Sequence, residues 1–322
     1  MIEKRVLGKN LEVSAIGLGC MGMDHAYGPA ADRKEMIRLI HEAIDMGCTF
    51  FDTAEFYGAD NEKLLGEALE PYRGKVVIAT KFGISVETEV TNQRKPLIFD
   101  SSPKAIRRSL EGSLKRLRVD CIDLYYQHRV DPKVEPEEVA ETMSSLMKEG
   151  KISHWGLSEA SSDYIRRAHA LCPVTALQSQ YSMMWRSPEK KIIPTCEELG
   201  IGYVAYSPLG NGFLSGKYTK ETKYKEGDFR NFMGRFKPNV IDNNQDLLKL
   251  LDEIANGKGA TKAQIALAWI LAQKSFMVPI PGTTKMDHLK ENLGAADIKL
   301  TPAELNDINA SLAKIKIDET HF

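Results

Sequence analysis

The segment "SPKAIRRSLEGSLKRLRVDCIDLYYQH" (residues 102–128) couples a helix to a strand, and its recurrence decides the fold. Ser102 followed by Pro103 is a helix-start signal, because proline's missing N–H is not needed in a first turn. "CIDLYYQH" (121–128) then reads as a strand, an apolar and aromatic run that stops on an imidazole. The alternation repeats along nearly the whole chain. Further strand candidates are "VSAIGLG" (13–19), "CTFFD" (48–52), "VVIATK" (76–81), "ISHWGLS" (152–158), "TALQSQ" (175–180), "GYVAYS" (202–207) and "FMVPI" (276–280). Eight strand–helix units predict parallel strands joined by right-handed crossovers and closed into an α/β (β/α)8 TIM barrel.

Outside the repeat, "KRVLGKNLEVSAI" (4–16) reads as an N-terminal β-hairpin turning at Gly8-Lys9-Asn10 and plugging the barrel floor. "DRKEMIRLIHEAIDMG" (32–47) reads as a helix with Met36, Ile37, Ile40 and Ala43 on one face. Between Ser207 and Phe276 lies more chain than one crossover needs, and its first part, rich in Gly, Lys and Arg, is expected to be a functional loop. "TPAELNDINASLAKI" (301–315) predicts an extra C-terminal amphipathic helix. No Pro/Ser-rich linker divides the chain, so one domain is expected over 1–322.

Charge and cysteine usage narrow the function classes. Lys+Arg 43 against Asp+Glu 44 leaves a formal charge of -1, with no global attraction to nucleic acid or to a membrane surface. A small, neutral partner is expected. Cys20, Cys48, Cys121, Cys172 and Cys196 are scattered and form no CxxC pair, which argues against a disulfide framework or a zinc knuckle. The charged "MIEKRVLGKN" lacks the apolar core of a signal peptide, so a soluble cytoplasmic protein is expected.

"GLGCMG" (17–22) matches GxGxxG, yet Gly28 and Pro29 delay the next helix to about Arg33, and Asp52 stands thirty residues past Gly22. A dinucleotide fingerprint needs a helix at the glycines and an acid after roughly twenty residues. These glycines read instead as backbone packed close to a ligand. "LGNGFLSGKY" (209–218) fails as a phosphate loop, because Tyr218 follows Lys217 where Ser or Thr is required.

Strand ends carry more weight, since the C-terminal ends of barrel strands share one rim. Asp52 ends the second strand, Lys81 the third and His128 the fourth, with Tyr57 in the loop after the second. Together they suit proton donation to a carbonyl. Lys81, held charged by Asp52, is expected to lower the Tyr57 pKa, while His128 orients the carbonyl oxygen. Met21, Met23, Met183, Met184, Phe82 and Trp185 are candidates for an apolar pocket. His25, His41, His154 and His169 show no metal-ligand spacing, and no metal site is expected.

In "FFDTAEFYG" (50–58), "VVIATK", "LYYQH" (124–128), "AYSPLGNGFLSGKY" (205–218) and "IPGTTKMDHLKEN" (280–292), the chain resembles the aldo-keto reductases from first hairpin to last helix. The branch with "IPGTTK" and "YYQHR" motifs, bacterial and plant, is the most similar. The resemblance implies an NADPH-dependent reductase of aldehydes or ketones with Tyr57 as general acid, neither metal nor flavin being required. Further roles follow from it. Tyr206 would stack on the nicotinamide, and Ser158 and Gln180 would hold its carboxamide. Ser207, Pro208, Leu209, Gly210, Gly212 and Lys217 would wrap the pyrophosphate, with Arg235 near them. Thr283, Thr284 and Lys285 would meet the adenosine phosphate, and Glu291 and Asn292 the adenine. Cys20, Met21, Ile280, Gly282 and His288 complete the implied cofactor set. Three positions depart from the common pattern: Glu159 replaces an asparagine, and Gly282 and His288 stand where many members carry lysine and arginine. Lys285 is a candidate to replace the lost charge. The Lys/Glu-rich stretch at 220–226 reads as a solvated face. A non-catalytic NADP(H)-binding subunit and a metal-dependent hydrolase using Asp52 and His128 are the competing readings.

Overall fold

The computed structural model describes residues 2–24, 26–86 and 96–320; His25 lies outside them. The chain opens with antiparallel strands β1 (Lys4–Leu7) and β2 (Leu11–Ser14), paired with Leu7 opposite Leu11 so that Gly8, at φ +60°, makes the turn. There follow β3 (Leu18–Gly19), β4 (Phe50–Asp52) and β5 (Val77–Phe82). A second hairpin is formed by β6 (Ile84–Val86) and β7 (Leu97–Phe99). The remaining strands are β8 (Ile122–Gln127), β9 (Ile152–Ser158), β10 (Ala176–Gln180), β11 (Gly202–Tyr206) and β12 (Met277–Pro279).

Eight strands form one sheet in the order β3-β4-β5-β8-β9-β10-β11-β12, every pair parallel. The sheet curls until its two edges meet: Gly17 N donates to Pro279 O at 3.0 Å, Gly19 N to Pro281 O at 3.3 Å, and Gly19 bridges Gly282. Here the glycines are needed. A Cβ on Gly17 would lie 2.7 Å from Phe50 Cδ1, and one on Gly19 would lie 2.9 Å from Ile280 O. Gly17 therefore serves strand-to-strand approach and does not line the cavity at the open end of the sheet, which corrects its reading as a ligand contact, whereas Gly19 both closes the seam and, with Gly22, lines that cavity.

Two local expectations also change, and the loop expected in the first part of the long segment is found. The first sheet strand is shorter than residues 13–19, because Val13 and Ser14 pair back onto Arg5 and Lys4. In helix Arg33–Asp45, capped by Asp32, Leu39 is buried with Met36, Ile40 and Ala43, whereas Ile37 is only partly covered. The long segment after β11 is loop and short turns only to about residue 237; beyond it come helices Pro238–Asn243, Gln245–Lys258 and Lys262–Gln273. Helix Pro103–Leu117 is capped by Ser102, and Pro302–Lys314 carries a capping box from Thr301 and Glu304.

Two apolar layers divide the core. One packs the helices on the outside of the sheet. The other fills its interior, where Leu7, Leu11 and Val13 of the hairpin meet Phe50, Ala79, Leu124, Tyr126, Ala176, Val204 and Val278. A Cβ on Gly202 would lie 2.5 Å from Leu7 Cδ2, so the hairpin presses directly on the start of β11 and closes that end. Among the described residues no helix is long and apolar enough to cross a membrane.

Candidate active site

Inward side chains alternate along a strand with period two. Two residues beyond the floor residues Phe50 and Ala79 come Asp52 and Lys81, and two beyond Tyr126 comes His128. The opposite mouth of the sheet is therefore polar. Lys81 and Asp52 are almost fully buried, with Lys81 Nζ 2.5 Å from Asp52 Oδ1. Lys81 also donates to Thr53 O at 2.7 Å and lies 3.5 Å from Tyr57 Oη. The second carboxylate oxygen of Asp52 accepts from Gln178 Nε2 at 2.7 Å, so both its oxygens are satisfied.

Tyr57 is held by its loop. The short turn Glu55–Tyr57 ends at Gly58, whose φ of +103° favours glycine, and helix Ala59–Leu69 starts directly after. Asn61 on that helix accepts from Thr53 Oγ1 at 2.6 Å and donates to Cys20 O and Asp24 Oδ1, pinning the loop to its neighbour. The ring of His128 meets the Tyr57 ring edge-on, centroids 5.8 Å apart.

Burial and charge set the protonation states. Burial opposes charge on Lys81 most strongly, but Asp52 and Tyr57 together outweigh it and the lysine pKa stands above its usual value. Burial also raises the Asp52 pKa against the pull of Lys81. For Tyr57, burial raises the pKa more than Lys81 lowers it, so the phenol stays above its ordinary value and the expected net lowering is corrected. Burial, then the charges of Lys81 and Arg129, drive the His128 pKa well below its usual value, leaving a neutral imidazole.

A cavity of about 850 Å³ opens over this group, within the range of small-molecule sites. Asp52, Tyr57 and His128 line it, with Lys81 behind them. Of the implied cofactor set, Met21, Ser158, Tyr206, Ser207, Pro208, Leu209, Gly212, Lys217, Ile280, Gly282, Thr283, Thr284, Lys285, His288, Glu291 and Asn292 line it too. Four do not. Cys20 is buried with its thiol toward Leu18 O, and a Cβ on Gly210 would lie 2.6 Å from Met184 Sδ. Arg235 is buried against Asn211 Oδ1 at 3.1 Å, its pKa lowered by burial to about 10. Gln180 is buried beside Glu159, whose Oε1 accepts from its backbone N–H at 2.8 Å.

The apolar candidates are corrected likewise. Met21 lines the cavity, whereas Met23, Met183, Met184 and Phe82 belong to the core and Trp185 lies outside the lining. Phe56, Ile84, Leu97, Phe229 and Met233 supply the apolar wall instead. Nor is the 220–226 stretch a plain solvated face. Thr222, Lys223, Tyr224 and Lys225 line the cavity, because Tyr224 packs on Tyr218 and Phe236.

Sequence reasoning missed how this strap is fastened. Asn211 Nδ2 donates to Tyr27 Oη at 2.9 Å, Phe229 N donates to Ala26 O at 2.7 Å, and Tyr27 bridges Asp228. Arg230, paired with Asp228 at 2.6 Å, sits over the rings of Tyr27, Tyr218 and Tyr224 at 4.7–5.3 Å. At the far end Lys217 Nζ lies 3.2 Å from His288 Nε2 and 3.7 Å from Glu291. Helix Met286–Gly294 begins there with no side-chain cap, immediately after Thr283 to Lys285. Gln178 and Arg129 were missed as well; the period-two pattern from Ala176 could have found the first. Among the described residues no three His, Cys, Asp or Glu side chains assemble as a metal set.

The sequence model of the Aldo/keto reductase family matches residues 15–313. Among solved structures, a glycerol dehydrogenase from Gluconobacter oxydans is 27% identical with a TM-score of 0.88, over 98% of this chain and 96% of the other. An aldo-keto reductase from Bacillus halodurans in its holo form is 28% identical with a TM-score of 0.79, over 100% and 99%. A thermostable aldo-keto reductase in complex with the inhibitor epalrestat is 30% identical with a TM-score of 0.74, over 96% and 100%.

Proposed function

The chain belongs to the aldo/keto reductase family, and from that premise we propose that it is an NADPH-dependent oxidoreductase that reduces aldehydes or ketones to alcohols. The observation that carries the proposal is the buried Lys81–Asp52 pair set 3.5 Å behind the Tyr57 hydroxyl at the floor of a large cavity. We read the curled sheet as a closed (β/α)8 barrel, one domain over 1–322, working in the cytoplasm.

NADPH, when bound, supplies the hydride that reduces the carbonyl carbon. Tyr57 gives its phenolic proton to the carbonyl oxygen, which completes the alcohol and leaves a phenolate. Lys81 stabilises that phenolate, and Asp52 keeps the ammonium charged so that the buried pair carries no net charge. Neutral His128 can hydrogen-bond the carbonyl oxygen without competing as a proton source. The phenol then regains a proton from water.

The residues present fit such a cofactor. The cavity runs from Tyr57 and Tyr206 to His288 and Asn292, and the uncapped helix start beside Thr283 and Thr284 suits a phosphate. Gln180 Nε2, buried without a hydrogen-bond partner among the described residues, is a donor in reserve at the end of β10. Ser158 and Gln180 would hold the carboxamide, Tyr206 the ring, residues 207–217 the pyrophosphate, and Lys285 with His288 the phosphate that distinguishes NADPH from NADH.

Titration with NADPH and NADH, followed by turnover on a panel of aldehydes, tests the reading. Tighter binding of NADPH and aldehyde-dependent oxidation of it are expected. Glycerol with NADP+ belongs in the panel as the reverse direction, given the similarity to a glycerol dehydrogenase. Binding without turnover of any substrate would favour the non-catalytic reading.

A further inference from the structure

Arg129 follows His128 at the end of β8 and lines the same cavity as Tyr57, His128, Ser158 and Tyr206. It is half-buried. One nitrogen, Nη1, is fixed by two acceptors: His128 O at 2.6 Å and Ser158 Oγ at 3.0 Å. Among the described residues the guanidinium makes no other hydrogen bond and meets no carboxylate.

Of the other half-buried arginines, Arg5 spends its donors on the carbonyls of Leu271, Lys274 and Met277, and others are paired with acids. Arg116 holds Glu62 at 2.5 Å, Arg186 holds Glu189 at 2.8 Å, and Arg230 holds Asp228 at 2.6 Å. The acids that line the cavity are already engaged: Asp52 by Lys81, Asp228 by Arg230 and Glu291 by Lys217. The reacting end of the cavity therefore carries an oriented positive charge that is ion-paired with no acid among the described residues. Its field reaches the Tyr57 phenol, where it opposes the larger effect of burial, and the His128 ring, where it adds to burial in disfavouring the charged form. A guanidinium tied at one nitrogen keeps a planar pair of donors that matches a carboxylate. A neutral aldehyde makes no use of such a charge.

We infer that Arg129 is a substrate anchor, and that the preferred substrates are oxo acids, small molecules carrying a carboxylate near the aldehyde or ketone that is reduced. This rests on the reductase reading and deepens it. The carbonyl would face Tyr57 and His128, and the carboxylate the free nitrogens of Arg129; proton and hydride transfers are unchanged. Arg129 could instead serve only to position Ser158 and the His128 backbone, and that role would affect charged and uncharged substrates alike.

The test compares 4-oxobutanoate with its methyl ester, using NADPH and wild type, Arg129→Met and Arg129→Lys. Wild type is expected to favour the acid by about tenfold or more in kcat/KM, a preference that shrinks with added salt. Arg129→Met should lose about 100-fold on the acid, roughly the worth of a charge-assisted bidentate contact, with KM carrying much of the loss. Its loss on the ester should be at least ten times smaller, and Arg129→Lys should recover part of the acid preference. Equal losses on acid and ester would reduce Arg129 to a positioning residue, and no acid preference in wild type would overturn the anchor. If wild type reduces neither compound nor any aldehyde, the reductase reading itself fails. Calorimetric titration with succinate then decides the anchor separately: binding weakened at least tenfold by Arg129→Met sustains it, and binding that is absent or unaffected overturns it.

Discussion

Along the strands that build the site, the inward side chains change character within a few residues. Phe50 gives way to Asp52, Ala79 to Lys81, and Leu124 and Tyr126 to His128. At the floor these positions meet Leu7, Leu11 and Val13 of the N-terminal hairpin and are wholly apolar. At the rim Asp52 and Lys81 meet as an ion pair beside the neutral imidazole of His128. Both ends are buried, so burial by itself does not distinguish them. Apolar burial stabilises the fold directly, whereas the buried Lys81–Asp52 pair gains little over an apolar pair, and on the proposed function it is kept for what it does to Tyr57. The floor is thus expected to carry stability and the rim chemistry, and substitutions at the two ends should separate.

The largest effect is expected at Lys81→Met, which leaves Asp52 buried with only Gln178 as partner. A loss of about 4 kcal/mol in unfolding free energy is expected, as for other broken buried pairs, together with loss of turnover. Denaturant unfolding checks the first and NADPH oxidation the second; a variant of unchanged stability would show that the rim carries no buried charge. At the floor, Leu124→Ala should cost about 3 kcal/mol through its cavity, with kcat per folded molecule kept. A fall in kcat matching the loss of stability would erase the contrast between the two ends.

The pH dependence sharpens the comparison from the rim side. Tyr57 must be protonated to act as an acid, and burial raises its pKa above the ordinary value of 10.0, so activity is lost only as pH rises past that value. His128 is held well below 6.5, so its protonation enters only in distinctly acid solution. Between pH 6.5 and 9, kcat for reduction should vary by less than about twofold. A titration centred near pH 8 would mean that Lys81 outweighs burial at Tyr57. The smallest effect is expected at Gly8→Ala in the hairpin turn. At φ +60°, with Thr175 O 2.9 Å from the added Cβ, it should lose about 1 kcal/mol or slightly more and leave kcat unaltered.

The difference between floor and rim also explains what could be read from the sequence. Strand periodicity places Asp52, Lys81 and His128 at strand ends, because alternation is a local property of each run. The hairpin turn at Gly8 is equally local. What escaped depends on pairing between runs rather than on any one run: Val13 and Ser14 turning back onto Arg5 and Lys4, the β6–β7 hairpin, and the Arg230 cage, which brings Tyr27 to Tyr218 and Tyr224 from far along the chain. The Tyr57 pKa departs from the sequence expectation for a related reason. Its lysine partner is visible as a motif, but the degree of burial that outweighs the lysine is set by the whole rim.

The most direct test of the rim as a proton-donating site is Tyr57→Phe, assayed at pH 7 with saturating NADPH and an aldehyde that wild type reduces, alongside NADPH binding. The account predicts a kcat lower by about 10²–10⁴-fold with NADPH affinity and unfolding midpoint close to wild type. A Tyr57→Phe enzyme that binds NADPH and reduces the aldehyde as fast as wild type would contradict it.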